Sequence, residues 1–541
     1  MARSRAQFGK RGLSAMLFAV PMLTAFGVSS AETLYNGIEL PSAWPPRDTV
    51  LSADPLPDPP YLVKPPAVIP VDLGRQLFVD DFLVEQTTLT RTFHQADTWP
   101  GNPVLKPDQP WEMEGGPTAM PFSDGVWYDP HDQLFKLWYL GGYARSTCYA
   151  TSRDGVHWEK PSLDVKPGTN VVQAVPRDSG TVWLDLREKD PQRRFKLFIY
   201  RYPEGAGALS LYFSPDGIHW SDCVKRSGPC GDRTTVFFNP FRNVWAYSLR
   251  GGLGDLGRVR QYWEDTDVLA GADWKAGEPP WWVGADRLDP SRADLKIPCQ
   301  LYNLDAVAYE SVLLGLFSIW RGQPSNRAKP NEVVLGFSRD GFHWYRPCRA
   351  AFLPVSEHQG DWNWGNVQSA GGGCLVVGDK LYFYLSGRAG VPGSSASGVS
   401  ATGLAILRRD GFASMDAGDT EGTLTTHPLR FQGRYLFVNA DADEGELRVE
   451  VLDEQGRVIA PFSRAHCRPI RADRTLDPVT WRGARSLARL ASQPVKLRFY
   501  LKRGQLYSFW ISPEASGASH GYVAAGGPGF TGPTDTVGRG E

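Results

Sequence analysis

The chain has almost no net charge: 58 Lys and Arg stand against 59 Asp and Glu, a formal −1. So even a balance gives no electrostatic reason to expect a nucleic acid or an anionic membrane as partner. Cysteine is scarce too. Seven residues, an odd number, cannot staple 541, and none stands in a CxxC or Cys/His spacing suited to zinc. A disulfide scaffold and a structural zinc site are excluded, and the sequence calls for no cofactor and no metal. Cys223 and Cys230 bracket a short Gly-Pro loop and could pair in an oxidising compartment; the others read as buried thiols. Long apolar runs are missing as well. The one from Leu13 to Phe26 is shorter than the roughly 18 residues of a membrane span and is broken by Pro21.

That run does have the flanks of a targeting segment. Arg3, Arg5, Lys10 and Arg11 precede it, and Ser29-Ser30-Ala31 offers small residues for cleavage. The reading is a signal peptide over 1–31 and a mature chain starting at Glu32, secreted or periplasmic, with no membrane contact after cleavage; an uncleaved anchor is the alternative. Gly (57) and Pro (43) are abundant and aromatics reach 12%, as suits many short strands and tight turns around a large core.

Three segments nearly repeat: Ser152-Arg-Asp-Gly-Val-His-Trp158, Ser214-Pro-Asp-Gly-Ile-His-Trp220 and Ser338-Arg-Asp-Gly-Phe-His-Trp344. Their Trp residues are 62 and then 124 positions apart, so a diverged unit belongs between the second and third, around Trp281-Trp282 or Ala272-Asp273-Trp274. A truncated copy follows at Arg409-Asp410-Gly411-Phe412. A fixed period means an array of like units. Each holds apolar strands parted by Asp-Pro or Asn-Pro turns, then an Asp-Gly hairpin. About 62 residues with four strands make a propeller blade. The fold class is therefore all-β: a five-bladed β-propeller over 75–415 followed by a C-terminal β-sandwich. His157, His219 and His343 recur once per unit, so they read as hairpin fasteners rather than catalysts, and the Trp residues as buried wedges between units.

Strict alternation in Leu447-Arg-Val-Glu-Val-Leu and Val495-Lys-Leu-Arg-Phe-Tyr-Leu marks strands with one wet face, placing the sandwich at 416–512. The Pro-rich 32–74 reads as an extended lead-in and the Gly-rich 513–541 as a mobile tail. Phe78-Val-Asp80-Asp81 reads as a strand that closes the ring or reaches its axis. Asp441, Asp443 and Glu444 read as a solvated acidic turn rather than a calcium loop.

Chemistry is expected where the innermost strands converge. Polar residues just ahead of them are Trp111, Glu112 and Glu114; Arg177 and Asp178; Asp232 and Arg233; Tyr302, Asn303 and Asp305; and Asn363, Trp364 and Asn366. Carboxylates gathered beside aromatic platforms suit glycoside hydrolysis, in which one carboxyl protonates the leaving oxygen and another attacks or activates water. Asp232, Asp305, Glu112 and Glu114 are the catalytic candidates. Asp178, Arg233, Trp111, Tyr302, Asn303, Asn363, Trp364 and Asn366 are the substrate-binding ones.

Asn102-Pro-Val-Leu, Pro110-Trp-Glu112, Tyr128-Asp129-Pro130 and Phe135-Lys-Leu-Trp-Tyr139 with the first repeat resemble the five-bladed arabinanase, levansucrase and invertase superfamily (glycoside hydrolase families 32 and 43), over roughly residues 75–415. The resemblance implies an Asp in blade 1, an Asp next to Arg in blade 3 and a Glu in blade 4, with a carbohydrate as partner. Asp232-Arg233 matches the second. A Trp-Met-Asn-Asp-Pro-type motif and a Glu-Cys-Pro are missing, so Glu112 or Glu114 would serve in blade 1 and Asp305 or Glu310 in blade 4. The competing functions are a non-catalytic carbohydrate-binding propeller and a structural or protein-binding one.

Overall fold

The computed structural model describes residues 32–201 and 207–539. The leader expected over 1–31 lies outside the described residues. The protein is all-β; among the described residues the one α-helix is the four-residue turn Pro60–Val63. No helix among the described residues is long and apolar enough to cross a membrane.

Five antiparallel sheets of four or five strands each follow one another along the chain. Their innermost strands are β1 (Ala119–Asp129), β2 (Gly180–Leu184), β3 (Thr235–Asn239), β4 (Gln300–Glu310) and β5 (Asn366–Ser369). They meet in cyclic order: β1 packs on β2, β2 on β3, β3 on β4, and β5 back on β1. β4 joins β5 through Asn303 Nδ2, which donates to Ser369 Oγ at 3.3 Å. The second strands are covered on both faces by neighbouring sheets and so read as near-continuous apolar runs, as in Leu134–Gly141.

The repeated motif fastens each hairpin identically. Asp154 Oδ1 accepts from the backbone of Val156 and His157, while Asp154 Oδ2 holds His157 Nδ1 at 2.7 Å. Asp216–His219 and Asp340–His343 repeat this pattern atom for atom. The carbonyl that the hairpin leaves free serves the neighbouring sheet. Trp138 Nε1 donates to Gly217, Trp282 Nε1 to Phe342, and the Tyr384 hydroxyl to Gly155. Trp158, Trp220 and Trp344, expected to be buried, are only partly so, lying on the rim of the core. The wedges between sheets are instead Trp138 and Trp282, both fully buried.

A second core lies between two further sheets. One contains Tyr435–Asp441, Gly504–Ser512, Ala413–Ala417 and Thr90–Phe93; the other, Glu446–Leu452, Lys496–Lys502, Gly422–Thr426 and Val84–Thr87. Both recruit strands from the N-terminal side, so residues 76–93 belong here and not to the ring. Phe78 and Phe82 are buried in this core, and Asp80 takes a bidentate ion pair from Arg339 at 2.8 Å. The expected ring-closing strand therefore closes nothing. Asp97–Thr98 does so, pairing with Ser400–Arg408.

Two other expectations are corrected. All seven cysteines are free thiols, Cys223 and Cys230 included. The Gly-rich segment after 512 is packed against the far end of the ring, with Tyr522–Val523 paired to the end of β4. Its glycines permit close approach rather than mobility: a Cβ on Gly527 would stand 1.7 Å from the Val376 carbonyl oxygen.

Ring, second core and this segment meet at one buried ion network. Arg75 reaches Asp410 at 3.0 Å and Glu310 at 3.5 Å, and Arg409 reaches Glu310 at 3.0 Å and Asp535 at 2.8 Å. Removing one partner of a buried pair strands a charge without solvent. Arg75→Met is expected to lower stability by about 3–5 kcal/mol in urea denaturation; a loss under about 1 kcal/mol would show that the network carries little of the stability.

Candidate functional site

The innermost strands all start at the same end of the ring, where their leading residues face one another around the axis. β1 is unusual. Its register jumps between Met120 and Gly125, and Phe122 and Ser123 adopt φ of 46° and 69°. Pro121 cannot donate to the ladder, and the bulge it starts pushes Phe122, Ser123 and Asp124 toward the axis.

Arg233, also left-handed at φ 60°, lies across the bulge. Its guanidinium donates to the Phe122 carbonyl and Ser123 Oγ, both at 2.9 Å, and stacks 3.9 Å from the Phe122 ring centre. Non-glycine residues in this conformation cost free energy, and they concentrate at functional sites. Below them Asp305 is fully buried and accepts from Ser369 Oγ (2.5 Å), Asn303 Nδ2 (2.9 Å) and Ser123 Oγ (3.1 Å). Burial raises its pKa against these bonds and Arg233. Asp305 thus forms the floor, tying three sheets together.

The mouth lies above this floor. Asp178 and Asp232 precede β2 and β3 in matching register, each followed or preceded by an arginine. Burial pushes Asp178 above the usual carboxylate range, and the charge of Asp232 adds to that while Arg233 and Arg388 oppose it. Its Oδ1 has no hydrogen-bond partner among the described residues. Asp232 is a third exposed and lies 3.5 Å from Arg250 Nε. Opposite, the Tyr302 hydroxyl receives a 2.8 Å hydrogen bond from Lys329 Nζ. Burial would raise this phenol, but Lys329, Arg388 and Arg233 together bring it below its ordinary value.

The other expected residues fall elsewhere. Glu112 is buried in a turn outside the axis and spent on Tyr139, Lys160 and the backbone of Asp108 and Gln109. Trp111 beside it donates to Asn170 at 3.0 Å. Glu114 is exposed. Glu310 sits at the opposite end of β4, in the ion network. Asn366 donates to the Lys329 carbonyl and so helps place that lysine. Asn363 reaches only Pro354, and Trp364 carries Arg327 on its ring. No three metal-ligating side chains gather among the described residues, and in the acidic turn at 441–444 Asp443 N donates to Asp441 at 3.4 Å and Gly445 N to the Ala442 carbonyl at 3.2 Å.

Sequence reasoning missed Asp124, buried and ion-paired with Arg177. Its signal was there: Val126-Trp127 in β1 matches Val182-Trp183 in β2, and Asp124 stands two residues ahead of the first pair. Burial pushes Asp124 up to about 6 in spite of Arg177 and Arg233. The folded state then holds this proton more tightly than the unfolded chain, whose Asp titrates near 3.9. That stabilisation is complete below about pH 4 and is lost as pH rises through 6, up to roughly 3 kcal/mol. Asp124→Asn is expected to flatten the stability profile between pH 4 and 7 in urea denaturation; an unchanged profile would assign the slope to other groups.

No protein-family model matches the chain, and no curated protein matches it. Solved structures similar to it include a thermostable family-43 glycoside hydrolase (13% identity, 54% of this chain and 93% of that one, TM-score 0.37). A β-1,2-mannobiose phosphorylase from Listeria innocua is 14% identical over 58% of this chain and 97% of its own, with a TM-score of 0.40. A fructofuranosidase from Schwanniomyces occidentalis is 12% identical over 77% and 98%, with a TM-score of 0.36. The functional argument therefore rests on the chain's own residues.

Proposed function

We propose that the chain is an exported glycosidase, a five-bladed β-propeller backed by a β-sandwich, which cleaves a furanoside-containing or related glycan at the axial mouth. One observation carries the reading: Asp178 and Asp232 occupy equivalent positions in adjacent sheets but unlike environments. Glycosidic cleavage needs one carboxyl protonated and another ionised, and environments that separate two carboxyls assign those roles. Asp178, half-buried with its pKa raised, is the proton donor. Asp232, open to solvent beside Arg250, is the carboxylate that attacks the sugar or activates water. Glu112 and Asp305, catalytic candidates by sequence, take no part in this reading because both are consumed by internal hydrogen bonds. The half-exposed Tyr143 supplies a face on which a sugar ring can stack.

Asp178→Asn and Asp232→Asn are each expected to lose at least about 100-fold in kcat/KM on a panel of furanosides and pyranosides, with normal melting. Because a donor must be protonated, wild-type kcat/KM falls as pH rises through the raised pKa of Asp178. Full activity in Asp178→Asn would remove that residue from the mechanism. A wild type that binds panel sugars and cleaves none would establish the binding module instead.

A further inference from the structure

Ten arginines are buried among the described residues. Seven have a carboxylate within 4.0 Å: Arg75, Arg177, Arg321, Arg327, Arg339, Arg346 and Arg409. The three that do not, Arg233, Arg260 and Arg388, all belong to the axial mouth. Arg260 is explained by structure: it donates to the carbonyls of Arg233 and Tyr302 and so splints β3 to β4. Arg233 donates to the Phe122 carbonyl and to Ser123 Oγ, but these are neutral acceptors that leave its charge unanswered, and Arg388 has less still. They are 1% and 3% exposed, and the Nε of each has no partner among the described residues. The one side-chain hydrogen bond of Arg388 goes to Ser397 Oγ at 2.9 Å.

More positive charge crowds the same space. The guanidinium of Arg388 stands 5.4 Å from the centre of the Phe122 ring that already carries Arg233. Around Tyr302 lie Lys329 at 4.8 Å, Arg258 at 5.2 Å and Arg233 at 5.9 Å from the ring centre. Lys329 and Arg258 are half-buried and form no ion pair; their partners are the Tyr302 hydroxyl and Gln300. The acids facing this cluster do not balance it. Asp305 is taken up by two hydroxyls and an amide, Asp232 lies against Arg250, and only Asp178 remains. Clustered cations withdrawn from water without counter-charges are costly, and guanidinium groups bind oxyanions through paired hydrogen bonds.

We infer that the mouth takes a ligand bearing a compact oxyanion (a carboxylate, sulfate or phosphate), received between Arg233, Arg388, Arg258 and Lys329. The inference rests on the reading of the mouth as a glycan site, and it makes that glycan an acidic one, such as a uronate or a sulfated sugar. The cations orient the charged substituent while Asp178, as donor, carries no charge to compete for them.

The test is calorimetric titration of the whole protein with uronate oligosaccharides, sulfated oligosaccharides, their uncharged counterparts, and inorganic phosphate alone. Acidic sugars are expected to bind roughly ten- to a hundredfold more tightly than uncharged ones, in keeping with charged hydrogen bonds. Lys329→Met and Arg258→Ala, half-exposed positions that fold more safely than Arg388→Gln, should each weaken the acidic ligand about tenfold or more without changing melting. Saturable phosphate binding lost in the same variants would support the oxyanion site and make free phosphate its occupant. Equal affinity for charged and uncharged sugars, unchanged affinity in both variants, or no saturable binding of any probe would overturn the inference. Acidic sugars bound but never cleaved would sink the glycosidase reading alone. Asp178-dependent cleavage of an uncharged glycan with no preference for acidic ones would sink this inference alone.

Discussion

Five charges without water hold this molecule together. Arg75, Glu310, Arg409, Asp410 and Asp535 come from the lead into the second core, the end of β4, the turn after the last ring sheet, and the glycine-rich segment beyond residue 512. Burial pushes Glu310 up against the pull of Arg409 and Arg75, whereas Asp410, though equally buried, is drawn down to about 2 by Arg75, Arg409 and its hydrogen bonds. The asymmetry follows from supply. Asp410 also receives the Tyr309 hydroxyl at 2.6 Å, Ser508 Oγ at 2.7 Å and Asn439 Nδ2 at 3.0 Å, so it is solvated by the protein. A buried pair is poor evidence of net stability on its own. Here its geometry fixes which sheets face which.

The same logic explains the contrast between the two ends of the ring. At the far end every buried charge of the network finds an opposite one, and the segment Ser519–Asp535 seals the surface. At the mouth stand left-handed Phe122, Ser123 and Arg233, an Asp178 carboxyl oxygen without a hydrogen-bond partner among the described residues, and arginines without a carboxylate partner among them. One end has its charges answered within the chain and the other does not.

How much of this was legible follows from what sequence patterns encode. The period of 62 and the Asp-Gly-x-His-Trp hairpin are local, so they located the sheets and rightly demoted His157, His219 and His343 to fasteners. Asp178 and Asp232 could be matched to each other from sequence because their register repeats. Asp124 was missed because the bulge before Gly125 hides the start of the inner strand, and Glu112 misled because a carboxylate near a strand looks the same whether it faces an axis or a turn. The cations were overlooked for a different reason. Arg388 and Lys329 stand in segments with no repeat signature, and only the closed ring brings them to Tyr302. Residues 76–93 were misplaced because strand exchange between distant segments leaves no period to read.

The order in which these pieces occur has a consequence for synthesis. The ring closes on Asp97–Thr98, long before the last sheet in sequence, while Arg409 waits for Asp535 and Glu310 for Ser519. A polypeptide halted short of that segment would keep its circle of sheets, but Arg409 would lose Asp535 and Glu310 would lose the Ser519 hydroxyl. Non-local pairing of this kind is slow to form and costly to leave half made. The glycine-rich stretch follows every other strand of the ring in sequence and completes its far end.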